Sequence, residues 1–205
     1  VSIDPERLAE VSLTLTCDAL RLPTWDEPFF NRRRVAGDLA DFILLFNAIN
    51  FCYWGDPKWA WVRNGEGGSF GVLAALSQAL DDGLPLLDAA YLAQISAAQL
   101  GAILAGRHGV SLPLLDERAA ILRAVGVTLL REFGGRFAHV LAAAGGDALG
   151  LVELLTTRFP SFDDHAWWNG QRVVFHKRAQ LAAAMIYAAH RDRVEGFVSR
   201  AKATG

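Results

Sequence analysis

Apolar residues recur along most of this chain with the spacing of amphipathic α-helices. The first such run covers residues 8–22 and follows Asp4 and Pro5, which suit the N-cap and the first turn of a helix. Six further helical segments are predicted, at residues 37–54, 72–82, 100–106, 114–133, 147–158 and 179–189. The pattern therefore predicts a mostly helical protein in which residues 1–205 form a single domain.

Three stretches depart from the helical spacing. Residues 59–62 and 68–71 flank the turn-rich sequence Asn64-Gly65-Glu66-Gly67, which predicts a small β-hairpin. Residues 172–175 form a brief extended run before the last helix, and the almost wholly apolar composition of that helix predicts that it is the most buried one. Residues 23–34 indicate a loop.

The composition narrows the class of protein and of partner. Hydrophobic residues make up 52% of the chain and charged residues 20%, which excludes a disordered protein. The chain carries 20 basic and 22 acidic residues, a balance that argues against direct binding to nucleic acid. No apolar run reaches membrane length, so we expect no membrane association.

The cysteines and histidines indicate neither a disulfide framework nor a metal site. Cys17 and Cys52 are too few for such a framework, and neither they nor the five histidines have the spacing of metal ligands. We therefore expect no metal and a reducing, cytoplasmic location. We also expect a monomer.

Amides interrupt an aromatic cluster at residues 47–56. On a continuous helix Asn47, Asn50, Phe51 and Trp54 would share one face. An unpaired buried amide costs about 1–3 kcal/mol, so such a face favours a ligand that bonds to the amides. Aromatic rings beside amides suit a planar heterocycle. On the residues alone, an aromatic core with satisfied asparagines stays an open alternative.

A cationic run, His176-Lys177-Arg178, stands where the last helix begins. The helix macrodipole disfavours cations at this end, and such local conflicts are enriched at functional sites. An apolar setting would disfavour the charged form of Lys177 unless an anion lies beside it. Asp163 and Asp164 precede the run and either orient Lys177 or activate water, or serve only as a turn and helix cap. The other interpretation of the cationic run is that His176, Lys177 and Arg178 all point to solvent.

Five blocks, taken in order, resemble the queuosine salvage proteins. They are Asn50-Phe51-Cys52-Tyr53-Trp54, Pro113-Leu114-Leu115-Asp116-Glu117-Arg118, Phe133-Gly134-Gly135, Phe159-Pro160-Ser161-Phe162 and Phe175-His176-Lys177-Arg178-Ala179-Gln180. Each block alone is a weak signal, but their order across most of the chain makes the match specific.

The resemblance implies a reaction and a fold. Members of this family hydrolyse the N-glycosidic bond of queuosine 5′-phosphate and release queuine, a 7-deazaguanine base that is reinserted into transfer RNA. Their all-helical architecture is similar to that of DNA glycosylases. The resemblance implies a catalytic Lys177 and a base pocket lined by Asn50, Phe51 and Trp54.

Other residues complete the predicted substrate site. We place Asn47 and Asp56 in it as members of the same 47–56 stretch. His176 and Arg178 are the nearest candidates for a cation that binds the 5′-phosphate.

The chain also departs from the family pattern. We expect an Asp-bearing block some thirty residues beyond the lysine, and none occurs before Gly205. Met185 stands where some members carry an aspartate, and His176 replaces the usual tyrosine. We expect either an incomplete piece of a longer queuosine salvage protein, which we favour, or a carboxylate role for Asp163, Asp164 or Asp56.

The leading hypothesis is therefore an N-glycosyl hydrolase that acts on free queuosine 5′-phosphate with no metal or organic cofactor. The alternative is a non-catalytic protein that binds queuine or a similar 7-deazaguanine. A third option is a helical scaffold whose aromatic residues only form a core.

Overall fold

Helices dominate the described part of the chain, residues 4–14 and 36–190 of a computed structural model. They are α1 (Pro5–Thr14), α2 (Ala36–Ala48), α3 (Gly68–Asp81), α4 (Ala89–Leu92), α5 (Ala97–Ile103), α6 (Leu115–Glu132), α7 (Phe137–Ala143), α8 (Ala148–Arg158) and α9 (Lys177–His190). Short 3₁₀ turns occupy Arg107–Gly109 and Pro160–Phe162. The strands β1 (His165–Trp168) and β2 (Gln171–Val174) form an antiparallel pair. The predicted fold class, mostly helical with a small β-hairpin, is confirmed.

The sequence Ser96-Ala97-Ala98-Gln99 predicts a capping box, and Ser96 and Gln99 form one at the start of α5. Asp147 caps α8 with its side chain. Residues 15–35, which include the predicted loop at 23–34, lie outside the described residues, as do residues 191–205. Within the described part of the chain, no helix has the length and apolar character that a membrane span requires.

Helix α2 lies at the centre of the core. Every residue from 40 to 50 is buried, and the helix packs against α6, α7 and α9. The prediction that residues 179–189 form the most buried helix is wrong. One side of α9 packs against α2 and α8, whereas Gln180 and Ala184 on its other side are exposed. An apolar sequence rich in alanine therefore covers the core here without being enclosed by it.

The predicted helix over residues 37–54 ends early, at Ala48. The backbone N–H of Ile49 bonds to Phe46 and that of Phe51 bonds to Ile49, so the chain turns more tightly than an α-helix. Cys52 then takes a left-handed conformation, with φ of 42°. Only Asn47 of the predicted amide and aromatic face lies on the helix, so the prediction of one shared helical face is wrong.

The predicted hairpin at residues 59–71 is also wrong. The two segments share a single isolated bridge between Ala60 and Gly67, and α3 begins at Gly68. The indoles of Trp59 and Trp61 are buried and donate to the carbonyls of Leu104 and Ile103, at 3.0 and 3.2 Å. Side-chain anchoring, rather than a strand ladder, therefore holds this stretch. The hairpin of the structure instead includes most of the extended run predicted at residues 172–175.

Helices α4 and α6 approach each other closely at Gly126. A Cβ atom at this position would lie 2.4 Å from the backbone nitrogen of Ala93 and 2.6 Å from the carbonyl oxygen of Ala89. Both neighbours are backbone atoms, which cannot rotate away as a side chain can. The absence of a side chain at Gly126 therefore sets how closely α6 packs.

We predict that Gly126→Ala destabilises the protein by about 1–3 kcal/mol, because the added methyl forces the two helices apart. The urea-unfolding midpoint measures this loss. Gly101→Ala on α5 is the matched control, since its methyl meets only the Leu115 Cδ2 atom, at 3.0 Å. Alanine favours a helix by up to about 1 kcal/mol, so this control should be neutral or stabilising. A higher midpoint for Gly126→Ala would contradict the prediction.

Candidate functional site

The segment that follows α2 is held by Arg118, a completely buried residue of α6. Its Nε atom donates to the carbonyl of Pro113 (3.0 Å), and Nη1 donates to the carbonyl of Ile49. Nη2 donates to the carbonyls of Phe51 and Cys52, the latter at 2.7 Å. No carboxylate of the described residues forms a salt bridge with this guanidinium, and its burial lowers the pKa of Arg118. Backbone carbonyl oxygens therefore stabilise the buried charge of Arg118.

A second buried arginine, Arg178 of α9, binds the end of α2 itself. Its Nη1 atom donates to the carbonyl of Ala48 at 2.8 Å, and Nη2 donates to that of Ser161. Its Nε atom donates to Asp164 Oδ1, and its backbone N–H donates to Asp164 Oδ2, both at 2.8 Å. Asp164 therefore caps the first turn of α9 and also pairs with the arginine.

Both guanidinium groups lie against the ring of Phe51. The Cζ atoms of Arg118 and Arg178 are 4.3 and 4.9 Å from the ring centroid, within the range of cation–π attraction. Arg178 of the 176–178 run therefore contacts the 47–56 stretch, although the two lie far apart in the sequence. Phe51 remains only half-buried, so part of its surface is accessible to a ligand.

Asn50 is nearly enclosed, with 5% of its surface exposed. The hydroxyl of Tyr53 donates a hydrogen bond to its Oδ1 atom, at 2.8 Å. Burial raises the pKa of Tyr53 to about 12, although the nearby charge of Arg118 opposes this. The hydroxyl therefore keeps its proton, and remains a donor, at neutral pH.

Asn47 lies inside the interface between α2 and α9 and is completely buried. Its Nδ2 atom donates to the carbonyl of Ile43 at 2.9 Å and lies 3.2 Å from Met185 Sδ. Its Oδ1 atom is buried without a hydrogen-bond partner. The structure places this amide within the core. The predicted contact of Asn47 with substrate stays a prediction.

Lys177 is the first residue of α9, and its side chain is exposed. Partial desolvation of its amine lowers the pKa of Lys177; Asp164 opposes this effect and Arg178 adds to it. The amine makes no hydrogen bond or ion pair with the described residues. Lys177, which is predicted to be catalytic, is thus available to a substrate.

His176 precedes Lys177 in a left-handed conformation, with φ of 46°. Its Nε2 atom lies 3.3 Å from Asp163 Oδ1, and Arg172 of β2 also pairs with this carboxylate. Burial would raise the pKa of Asp163, but the hydrogen bonds from Arg172 and His176 lower it below the usual range. Asp163 is therefore an ionised group that joins the hairpin to the start of α9.

The remaining predicted residues are exposed. Trp54 has 85% of its surface exposed, and Asp56 also faces solvent. Their contact with substrate stays a prediction. A cleft of about 440 Å³ opens elsewhere, between α3 and α5, with Trp61, Arg63 and Tyr91 in its lining. It contains none of the predicted site residues. The described residues include no group of three or more His, Cys, Asp or Glu side chains placed to hold a metal ion.

Arg118 and Tyr53 are the residues that sequence reasoning left out of the site, although both lie in the matched blocks. A signal for Arg118 was present. It shares the apolar face of α6 with Leu122, Val125 and Leu129, which follow at i+4, i+7 and i+11. A charge at a core-facing position indicates a specific buried partner. Tyr53 carried no comparable signal.

Comparison with known proteins gives a consistent result. The family model described as queuosine salvage protein matches residues 31–200. A protein of Sphaerobacter thermophilus, named queuosine 5′-phosphate N-glycosylase/hydrolase, is 41% identical over 192 residues, which cover 92% of this chain and 58% of that protein. Proteins of the same name from Mus musculus and Bos taurus are 34% and 29% identical over 197 residues, covering 93% of this chain and 58% of each. The chain thus spans 58% of the length of these curated relatives.

We predict that Arg118→Met lowers the free energy of unfolding by about 3 kcal/mol or more, because several buried carbonyls lose their donor at once. Chemical denaturation measures the loss. Arg123→Met is the matched control on the same helix, since Arg123 donates to a single carbonyl, that of Ile95. It should cost about 1 kcal/mol.

Equal losses in the two variants would contradict this assignment. If Arg118→Met does not fold, Arg118→Lys provides the second measurement. Lysine keeps the charge but lacks the planar fork that reaches several carbonyls at once. Arg118→Lys should therefore fold. Its free energy of unfolding should be lower than those of the wild-type protein and of Arg123→Met.

Proposed function

This chain belongs to the queuosine salvage protein family, and from that premise we propose that the protein containing it hydrolyses the N-glycosidic bond of queuosine 5′-phosphate and releases queuine. The curated relatives carry the name of this activity. One structural observation supports the proposal most directly. Arg178, which binds the carbonyl of Ala48 and contacts the ring of Phe51, brings the segment at the end of α2 to the start of α9, whose first residue is Lys177.

In this proposal the 50–53 segment binds the base. A 7-deazaguanine is planar, with hydrogen-bonding groups on its edge and π surfaces on its faces. Phe51 offers an aromatic surface whose position is fixed by two guanidinium groups. Asn50 offers an amide beside it. A rigid aromatic group next to a held amide suits recognition by stacking and edge hydrogen bonds.

Lys177 acts on the departing base. Cleavage of the bond develops oxocarbenium character on the ribose and negative charge on the base. A 7-deazapurine has carbon at position 7, so the protonation that usually helps a purine to leave is not available there. An ammonium whose pKa is lowered is a better proton donor than an ordinary lysine. We therefore assign Lys177 the stabilisation and protonation of the leaving base.

His176 is a better candidate than Arg178 for the cation that binds the 5′-phosphate. Arg178 already donates to Ala48, Ser161 and Asp164. The imidazole of His176 is less buried and has one hydrogen-bond partner among the described residues, Asp163. We propose that Arg178 chiefly holds the segment and that His176 faces the phosphate.

The remaining role is that of the carboxylate that activates water. Asp163 is engaged by Arg172 and His176, and Asp164 by Arg178. Asp56 is exposed, outside the arginine contacts. Because both members of the pair are already occupied, we propose that this carboxylate comes from a part of the protein other than the described residues.

We further propose that residues 1–205 form a single domain of a monomeric, cytoplasmic protein that acts on the free nucleotide without direct binding to nucleic acid. The formal net charge of −2 supports the last point, since nucleic-acid binding normally requires a basic surface.

The deciding experiment incubates the full-length protein with queuosine 5′-phosphate and separates the products by chromatography. Release of free queuine supports the proposal. Calorimetric binding of queuine without product supports a non-catalytic base-binding protein instead. If no queuine is released and queuine neither binds nor raises the melting temperature, the chain is a scaffold and the proposal fails.

We predict that Lys177→Ala lowers kcat by about 10²-fold or more, the usual contribution of a positioned acid or base. Steady-state hydrolysis of queuosine 5′-phosphate measures this effect. Lys58→Ala removes an exposed lysine outside the site and should leave kcat unchanged. Unchanged turnover in Lys177→Ala, at an unchanged melting temperature, would remove Lys177 from the mechanism.

The pH profile provides an independent prediction. A proton donor must be protonated, so kcat should fall as the pH rises through the pKa of Lys177, which lies below the usual 10.5. In Lys177→Arg the cation keeps its proton over the whole range. The kcat of this variant should not decrease at alkaline pH, even if it is lower than that of the wild-type protein. An alkaline decrease that is identical in both proteins would contradict the assignment.

A further inference from the structure

The side-chain amide of Asn50 is bound on one side only. Its Oδ1 atom accepts the hydrogen bond from Tyr53 at 2.8 Å. Its Nδ2 atom makes no hydrogen bond with the described residues, yet it is not among the atoms that are buried without a partner, as Asn47 Oδ1 is. Two N–H donors of a nearly enclosed residue therefore remain available at the surface of the site.

Tyr53 is itself held in place by the arginine cluster. The Arg118 Cζ atom lies 5.4 Å from its ring centroid, and the same guanidinium donates to the carbonyl of Cys52, the preceding residue. The tyrosine hydroxyl is a donor at neutral pH, because burial raises the pKa of Tyr53 to about 12. Exchange of the amide ends of Asn50 would leave that hydroxyl proton without its acceptor. Tyr53 therefore determines which end of the amide is available.

We propose that Tyr53 is a positioning residue that presents the Nδ2 group of Asn50 as a hydrogen-bond donor to a carbonyl oxygen on the substrate's base. The inference rests on the proposed function and deepens it. A guanine-type 7-deazapurine carries a carbonyl oxygen at position 6, whereas an adenine-type one carries an amino group there. The N–H donors of Asn50 bond to the first and face another donor in the second. The Asn50–Tyr53 pair therefore selects 6-oxo bases over 6-amino bases.

The test compares hydrolysis of queuosine 5′-phosphate with that of 7-deazaadenosine 5′-phosphate by the full-length protein and its variants. The wild-type protein should prefer the 6-oxo nucleotide. In Tyr53→Phe the ratio of kcat/KM values for the two nucleotides should fall by about tenfold, the effect of one hydrogen bond. Most of the change should appear as a higher KM for queuosine 5′-phosphate, because the chemical groups that break the bond are untouched. Tyr91→Phe, in the cleft between α3 and α5, should leave the ratio unchanged.

A double substitution separates positioning from a merely structural role. If Tyr53 acts through the amide, Asn50→Ala removes the selection and Tyr53→Phe then has no further effect on the ratio. A structural role would instead lower the melting temperature and leave the ratio as it is in the wild-type protein. The inference is overturned if Tyr53→Phe keeps the wild-type ratio, or if its effect on the ratio is undiminished when Asn50 is alanine.

The inference is also tested separately from the proposed function. If the wild-type protein hydrolyses neither nucleotide, the proposed function fails, and calorimetry with the free bases queuine and 7-deazaadenine takes the place of the kinetic ratio. Preferential binding of queuine that falls about tenfold in Tyr53→Phe supports the inference. Equal binding of the two bases by the wild-type protein, or a preference that Tyr53→Phe leaves unchanged, overturns it.

Discussion

Two buried guanidinium groups bind the carbonyl oxygens at and beyond the end of α2, and the rest of the site depends on this interaction. The last carbonyls of a helix have no partner within the helix, and water does not reach them inside a core. Arg178 binds the carbonyl of Ala48, and Arg118 binds those of Ile49, Phe51 and Cys52. The backbone can therefore leave the helix while it is still buried.

The same contacts bring the functional groups together. Arg118 belongs to α6 and Arg178 to α9, so both helices converge on the end of α2. Their guanidinium groups contact the ring of Phe51, and Asp164 joins Arg178 to the first turn of α9. Lys177 is in that turn. A surface for a base and a lysine of lowered pKa are thus held by one set of buried hydrogen bonds.

The errors in the sequence predictions have a common cause. The apolar spacing of residues 37–54 is compatible with a helix throughout, but the arginine that binds Ile49 is 69 residues away and the one that binds Ala48 is 130 residues away. Likewise, the turn-rich sequence near residue 65 suits a hairpin, but the buried indoles of Trp59 and Trp61 bond to Leu104 and Ile103 instead. Distant partners outweighed local preference in both places.

The sequence by itself determined the helical class, the capping box of α5, and the two clusters of amides, aromatics and cations, because periodicity, caps and residue types are local properties. Only the tertiary structure decided that Arg178 turns inward while the adjacent Lys177 stays exposed, and that Tyr53 binds the amide of Asn50. The direction of a side chain depends on the carbonyls, carboxylates and rings that other helices bring to it. Spacing along one segment does not contain that information.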